Sequence, residues 1–188
     1  VAMMRALKQQ DWGAGRLMKQ HEAALRAGTV LEARAADIDD PSRPVLTVHR
    51  AVPLDWTDYN GHMNEARYFQ AFGDATDRMM EIVGCDADYI ANGGSYFTAE
   101  THIRHLDEVH AGAKIHIETQ VLLGTGKKMH LFHRMFEGDR ELATGEHMLI
   151  HVSLETRKAS EPAPQIATAL AILADAHVRL AQGQGAEL

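Results

Sequence analysis

The chain has a single cysteine, Cys85, in 188 residues, so it holds no internal disulfide and no cysteine-based zinc cluster. A reducing cytoplasmic setting fits that usage. No apolar run approaches the length of a bilayer span, and Val1 to Gln20 mix Arg, Lys, Gln and Asp with apolar residues, unlike the apolar core of a signal peptide. A membrane protein is therefore not expected. Positive charge is also lacking: the formal net charge is -7, which argues against general nucleic-acid binding. There is no internal repeat and no low-complexity segment. A hydrophobic content of 45% suffices for one core, so one domain with an appendage is expected rather than two domains.

The charge is unevenly placed. Residues 1–34 carry Arg5, Lys8, Arg16, Lys19, Arg26 and Arg34 against Asp11, Glu22 and Glu32, so this segment is basic and the remainder acidic. Ala2 to Gln10 and Arg16 to Arg26 read as two short helices around a Gly-containing turn. Asp39 to Pro44 then reads as a linker. The expected division is a helical extension, or the end of a preceding domain, over 1–36, a linker over 37–44 and the main domain over 45–188.

Within the main domain, Val45 to Val52 reads as a strand. From Glu65 to Val83 the residues Phe69, Phe72, Met79, Met80 and Val83 recur at helical spacing, widened by Ala71, Ala75 and Ile82 into a face that needs covering. Past Gly93-Gly94 the period changes to two. Ile115, Ile117, Thr119, Val121 and Leu123 share one side of a strand, Gly124 to Lys127 reverses the chain, Lys128 to Phe136 returns, and Glu137 to Arg140 turns it again. Glu141 to Glu155 follows with Met148, Ile150, Val152 and Leu154 expected to face inward. With Tyr96 to His105, this predicts one long helix followed by an antiparallel sheet large enough to curl round it, an α+β arrangement. Pro162 and Pro164 end the sheet region, and Ile166 to Leu180 is expected as a helix packed outside.

The richest local chemistry is Asp58-Tyr59-Asn60-Gly61-His62-Met63-Asn64, directly ahead of the long helix. A carboxylate, two carboxamides and an imidazole beside Gly61 can converge on one point, and the following helix start offers N–H groups to a developing negative charge. Such parts suit attack on, or polarisation of, a carbonyl compound. A purely structural alternative also exists: Asp58 and Asn60 bond their own turn, and Asn64 caps the helix.

The order strand, polar loop, long helix and antiparallel meander, with Asp58 to Tyr68, resembles the hotdog-fold thioesterases of the 4-hydroxybenzoyl-CoA thioesterase type. The segment Ile103 to Gly112 is similar to the strand and turn that follow the substrate-lining strand in these enzymes. Asp58, Asn60 and His62 also match the Asp-x-Asn-x-His segment of plant acyl-ACP thioesterases. Ser95 to His102 and Gly145 to Val152 look most like betainyl-CoA thioesterases of carnitine breakdown, and residues 3–16 resemble the helical end of a carnitine dehydrogenase to which such domains are sometimes fused. The resemblance implies hydrolysis of an acyl-CoA, betainyl-CoA above all, without cofactor or metal, by a homodimer or homotetramer.

It further implies Asp58 as general base or nucleophile, with Asn60, His62 and Asn64 orienting water or the carboxylate, and backbone N–H groups of Met63 to Glu65 as oxyanion donors. Several bacterial relatives carry His where Glu65 stands, which makes Glu65 a reserve carboxylate. Arg104, Lys127 and Lys128 are candidates for the coenzyme A phosphates. Trp56, Tyr59, Tyr96, Phe97 and Glu100 are the set available for a trimethylammonium group. Metal binding by His102, His105 and His110, or by His147 and His151, is not expected for want of a companion ligand set. His147, Leu149 and His151 are read instead as an outward, subunit-facing stripe. Other readings stay open: a general short-chain thioesterase, a hotdog enoyl-CoA hydratase, or a non-catalytic acyl-CoA sensor with the basic extension as a helix-turn-helix.

Overall fold

A computed structural model describes residues 40–180. The two short helices expected before Asp37 lie outside those residues, as do positions 181–188. The order is β1 (Val45–Ala51), a 3-10 turn (Leu54–Trp56), α1 (Glu65–Ile82), α2 (Ala87–Ala91), β2 (Gly94–His105), β3 (Lys114–Thr125), β4 (Lys128–Glu137), β5 (Arg140–Ser153), β6 (Lys158–Ala159) and α3 (Pro164–His177). The strands form one antiparallel sheet in the order β1-β3-β4-β5-β2, with β6 paired to the end of β5. This is the hotdog fold, a central helix wrapped by a curved antiparallel sheet.

Local signals set the elements. Asn64 caps α1, its side chain accepting a hydrogen bond from the Ala66 N–H at 3.0 Å, and Glu65 places an acid in the first turn. Tyr68, Ala71, Phe72, Ala75, Thr76, Met79 and Met80 are buried at spacings of three and four, which turns one helix face to the sheet. Two-residue turns at Gly126-Lys127 and Gly138-Asp139 join β3 to β4 and β4 to β5, fixing their register.

The core runs along α1 in two parts. Around its N-terminal half, Tyr68, Ala71, Phe72 and Ala75 meet Val48, Val52, Trp56, Ile115, Ile117, Met135 and Leu142. Met79, Met80 and Val83 at the other half meet Tyr96, Val121, Met129, Leu131 and Leu149, together with Ile166, Leu170 and Leu173 of α3. Helix α3 was expected outside the sheet. It instead shares the core of α1, because Ile166, Leu170, Leu173 and His177 form a buried stripe that closes the far end of the sheet.

A second expectation fails on β5. Its inward residues are His147, Leu149 and His151, paired with or beside Leu131 and Met129, while Met148, Ile150 and Val152 lie half-buried on the opposite face. His147, Leu149 and His151 are therefore core, not a subunit-facing stripe. The histidines are tolerated inside because some bring hydrogen bonds with them. His151 Nε2 lies 2.9 Å from the Tyr89 hydroxyl and its Nδ1 2.9 Å from the Ser160 carbonyl, while His133 on β4 sits between the hydroxyls of Thr76 (3.0 Å) and Thr119 (2.8 Å).

Gly145 of β5 lies directly beneath the ring of Phe72, where an added Cβ would come within 2.8 Å of Phe72 Cδ2 and 2.9 Å of Cγ. Phe72 is fully buried and stacked on His133 at 5.7 Å, so it has little room to yield. Gly145→Ala is expected to destabilise by about 1 to 3 kcal/mol through overpacking. Urea unfolding at constant m-value measures this, and a change below about 0.5 kcal/mol would show that the ring gives way.

Candidate active site

The Asp58 segment folds into a small hairpin at the end of the sheet where α1 begins. Thr57 and Met63 pair as its base, the Asp58 N–H donates to the His62 carbonyl at 3.0 Å, and the Gly61 N–H donates to the Asp58 carbonyl at 3.0 Å. Gly61 makes the turn possible, with φ of +80°. The hairpin is anchored twice: the Met63 N–H donates to the Val109 carbonyl at 2.7 Å, and the Asn64 N–H to the Trp56 carbonyl at 2.9 Å. The chain segment after β2 thus holds the hairpin against the start of α1.

Asp58 Oδ1 accepts the Asn60 N–H at 2.8 Å, an Asx turn that fixes the carboxylate's orientation while Oδ2 makes no hydrogen bond among the described residues. His62 is half-buried. Its Nδ1 lies 3.2 Å from Glu108 Oε2, and its ring centre is 4.6 Å from that of His110. His110 Nδ1 lies 3.1 Å from the Gly61 carbonyl and donates to it. Neither Glu108 nor His110 was singled out as a partner of His62. The alternation Glu108-Val109-His110 beside a known loop was the available signal, but the facing of His62 and His110 is set by a bridge between segments far apart in sequence.

Nearby, Tyr68 donates to the Asp107 carbonyl at 3.3 Å, and its ring packs edge-on against His105 at 4.8 Å. Burial raises the Tyr68 phenol above its ordinary pKa. The hydrogen bond from Arg140 to the Asp107 carboxylate, at 2.6 Å, holds that carboxyl below its ordinary value. This ties the segment after β2 to the β4–β5 turn.

The hairpin brings Asp58, Asn60 and His62 together, with Glu65 exposed in the first turn of α1. Asn64 caps α1, its Oδ1 accepting the Ala66 N–H, which is the structural alternative the sequence also offers for it. The oxyanion donors are also narrower than expected. The N–H groups of Met63 and Asn64 are both engaged, which leaves that of Glu65 without a hydrogen bond among the described residues.

The candidate cation-binding set is scattered in the protomer. Trp56 is buried and its face carries the Arg50 guanidinium at 3.9 Å, while Tyr96 is buried at the other end of the core. Phe97 and Glu100 lie on the face of β2 away from α1, with Arg157 over the Phe97 ring at 5.4 Å. Tyr59 stands at the hairpin tip, 97% exposed. The phosphate candidates are divided too. Arg104 lies at the hairpin end of the sheet, level with Thr144 of β5, whereas Lys128, beside Lys127, lies level with Ile150 toward the opposite end, roughly 20 Å along the strand. Cys85 takes no part: burial pushes its thiol up to about 11.

Similarity to known proteins agrees with this architecture. The thioesterase-like superfamily matches residues 52–170, from the end of β1 into α3. An L-carnitine dehydrogenase/betainyl-CoA thioesterase of Ruegeria pomeroyi is 62% identical over 99% of this chain, although the chain spans only 38% of that protein's length. A betainyl-CoA thioesterase of Pseudomonas aeruginosa is 36% identical over 75% of this chain and 91% of its own length. Among solved structures, a Staphylococcus aureus protein in complex with CoA superposes with a TM-score of 0.71 over 76% of this chain and 92% of its own, at 22% identity, a likeness of fold. From the superfamily match and the helix-wrapped sheet with its Asp58 hairpin, the chain belongs to the thioesterase-like superfamily as a hotdog-fold thioesterase related to the betainyl-CoA thioesterases.

Proposed function

We propose that the chain hydrolyses acyl-CoA thioesters and that its substrate is betainyl-CoA, giving glycine betaine and coenzyme A in carnitine degradation. The observation that carries this is the Pseudomonas aeruginosa relative, which aligns over nearly its whole length with three quarters of this chain and bears the thioesterase name alone. In this reading the domain of residues 45–188 is the thioesterase, and residues 1–36 are an extension or the end of a fused dehydrogenase. No helix among the described residues is long and apolar enough to cross a membrane, which accords with a cytoplasmic acyl-CoA substrate.

Asp58 is the reacting carboxylate. It either takes the proton of an attacking water and passes it to the departing thiolate, or adds to the thioester carbonyl to form an anhydride and expel the thiolate, which takes its proton from the water that cleaves the anhydride; in both routes the C–S bond breaks and carboxylate and thiol result. The Glu65 N–H, at the positive end of α1, stabilises the oxyanion, while Asn60 and His62 orient water. The active form is a dimer or tetramer, since β2 ends the sheet with one edge unpaired among the described residues and the candidate substrate contacts are divided between the two ends of a protomer.

The test is thiol release from betainyl-CoA against its neutral tert-butyl analogue, which isolates the charge at nearly constant shape. A cation–π contact of about 0.5 to 2 kcal/mol predicts a preference of around tenfold near 1.4 kcal/mol. Tyr59, the exposed ring on the hairpin, is the first residue to replace, and Tyr59→Leu is expected to erase the preference. Equal rates for the two thioesters would leave a general short-chain thioesterase.

A further inference from the structure

Three potential metal ligands converge where the hairpin meets the segment after β2. His62, Glu108 and His110 each offer one donor atom, and these atoms lie within 4.8 Å of one another. We propose that they form a binding site for one divalent transition-metal ion of the Zn2+ class, and that occupancy of the site takes His62 away from hydrolysis. The second half rests on the proposed role of His62; the site itself does not.

One donor pair already stands at the spacing the ion needs, and the third donor lies within 4.8 Å of both. His62 Nδ1 and Glu108 Oε2 are 3.2 Å apart, close to the edge of about 3.3 Å expected for a tetrahedron with bonds of about 2.0 to 2.1 Å. The donors are also held in advance. His62 and His110 occupy facing positions of a backbone bridge, and the adjacent Met63–Val109 hydrogen bond at 2.7 Å locks the two segments together. The Gly61 carbonyl accepts from one ring nitrogen of His110 at 3.1 Å, which fixes the tautomer and leaves the lone pair on the other nitrogen. A carbonyl bonded to the second nitrogen is the usual support for a metal-binding imidazole.

The donor set decides the class of ion. Two imidazoles and one carboxylate favour Zn2+, Co2+ or Ni2+ over Mg2+ or Ca2+, which prefer oxygen ligands throughout. Glu108 and His110 are exposed, so an ion can enter from solvent, and a fourth position is available to water or to a thiolate such as that of released coenzyme A. With Nδ1 coordinated, the ring is fixed to the ion and its Nε2 keeps the remaining proton, so His62 can no longer accept a proton or turn toward the reacting water. The result is reversible inhibition by a metal ion, not metal-dependent catalysis.

Titration of the full chain with Co2+ in the absence of substrate tests the site independently of activity. The expected result is a tetrahedral Co2+ absorption band that saturates at one ion per protomer and is displaced by Zn2+. His110→Gln and, separately, Glu108→Gln should each weaken binding at least about tenfold, whereas His102→Gln, exposed on β2, should leave it unchanged. Unchanged binding in both cluster variants, with their circular dichroism intact, would overturn the site. A parallel titration of thioester hydrolysis with Zn2+ should show inhibition at the same midpoint, reversed by EDTA. Full hydrolysis by the metal-loaded protein would overturn the coupling to His62. Absence of hydrolysis from any acyl-CoA without metal would overturn the proposed function and leave the Co2+ result to decide the site alone.

Discussion

Asp58→Asn is expected to remove most turnover, on the order of a hundredfold to ten-thousandfold in kcat, with little change in folding. The carboxamide keeps the shape of the side chain, and its oxygen can still accept the Asn60 N–H that the Asp58 carboxylate accepts at 2.8 Å. What it loses is the ability to take a proton or to attack a carbonyl carbon. Stability and activity should therefore separate cleanly at this position. His62→Ala should also slow turnover, by less, because it orients rather than reacts. Single-turnover hydrolysis in heavy-oxygen water bears on the two routes, since label found in the Asp58 carboxylate requires an anhydride cleaved by water at the Asp58 carbonyl, which a general-base route cannot give. If Asp58→Asn retained near-normal thiol release, the reacting carboxylate would lie elsewhere, and Glu65 in the first turn of α1 would be the next to replace.

The parts of the fold that were legible from sequence are those in which one local rule acted alone. Helix α1 shows a 3.6-residue apolar period with an Asn cap, and the hairpins show Gly-containing turns between alternating strands; all formed where expected. Strand β5 was misread because both of its faces offer plausible cores. Met148, Ile150 and Val152 are more apolar than His147, Leu149 and His151, yet the latter set faces α1. Pairing with Leu131 and Met129, a hydrogen bond from the Tyr89 hydroxyl to His151 and one from His151 to the Ser160 carbonyl override the apolar ranking, and none of these is visible along the strand itself. The active-site loop was legible as a cluster, but Asn64 could be read as cap or as catalytic residue, and the sequence alone does not show that its Oδ1 accepts the Ala66 N–H. Glu108 and His110 came to His62 through tertiary pairing, which no spacing rule anticipates.

The buried histidines make the fold itself sensitive to acid. His147 has its Nε2 buried without a hydrogen-bond partner, and burial lowers its pKa to about 4. His133, 5.0 Å away, is lowered well below its ordinary value by burial and by the neighbouring His147. Around this pair stand Phe69, Phe72 and Thr76 of α1, Thr101 of β2 and Thr119 of β3, and burial, not a carboxylate among the described residues, sets their shifts. Both rings are thus neutral in the native state below the pH at which an unfolded histidine, with a pKa near 6.5, takes up a proton. The unfolded chain then binds more protons than the native one, so stability is full above about pH 6.5 and falls as the pH drops toward 4. For His147 a depression of about 2.5 units corresponds to roughly 3 kcal/mol, a substantial part of the 5 to 15 kcal/mol typical of a domain. Urea midpoints measured between pH 7 and 5, above the range where most carboxylates titrate, should fall steadily. His147→Met fills similar space without an unpaired nitrogen, so it should cost little at pH 7 and flatten the slope. A midpoint constant from pH 7 to 5, or a slope unchanged by His147→Met, would show that these imidazoles gain protons without unfolding the core.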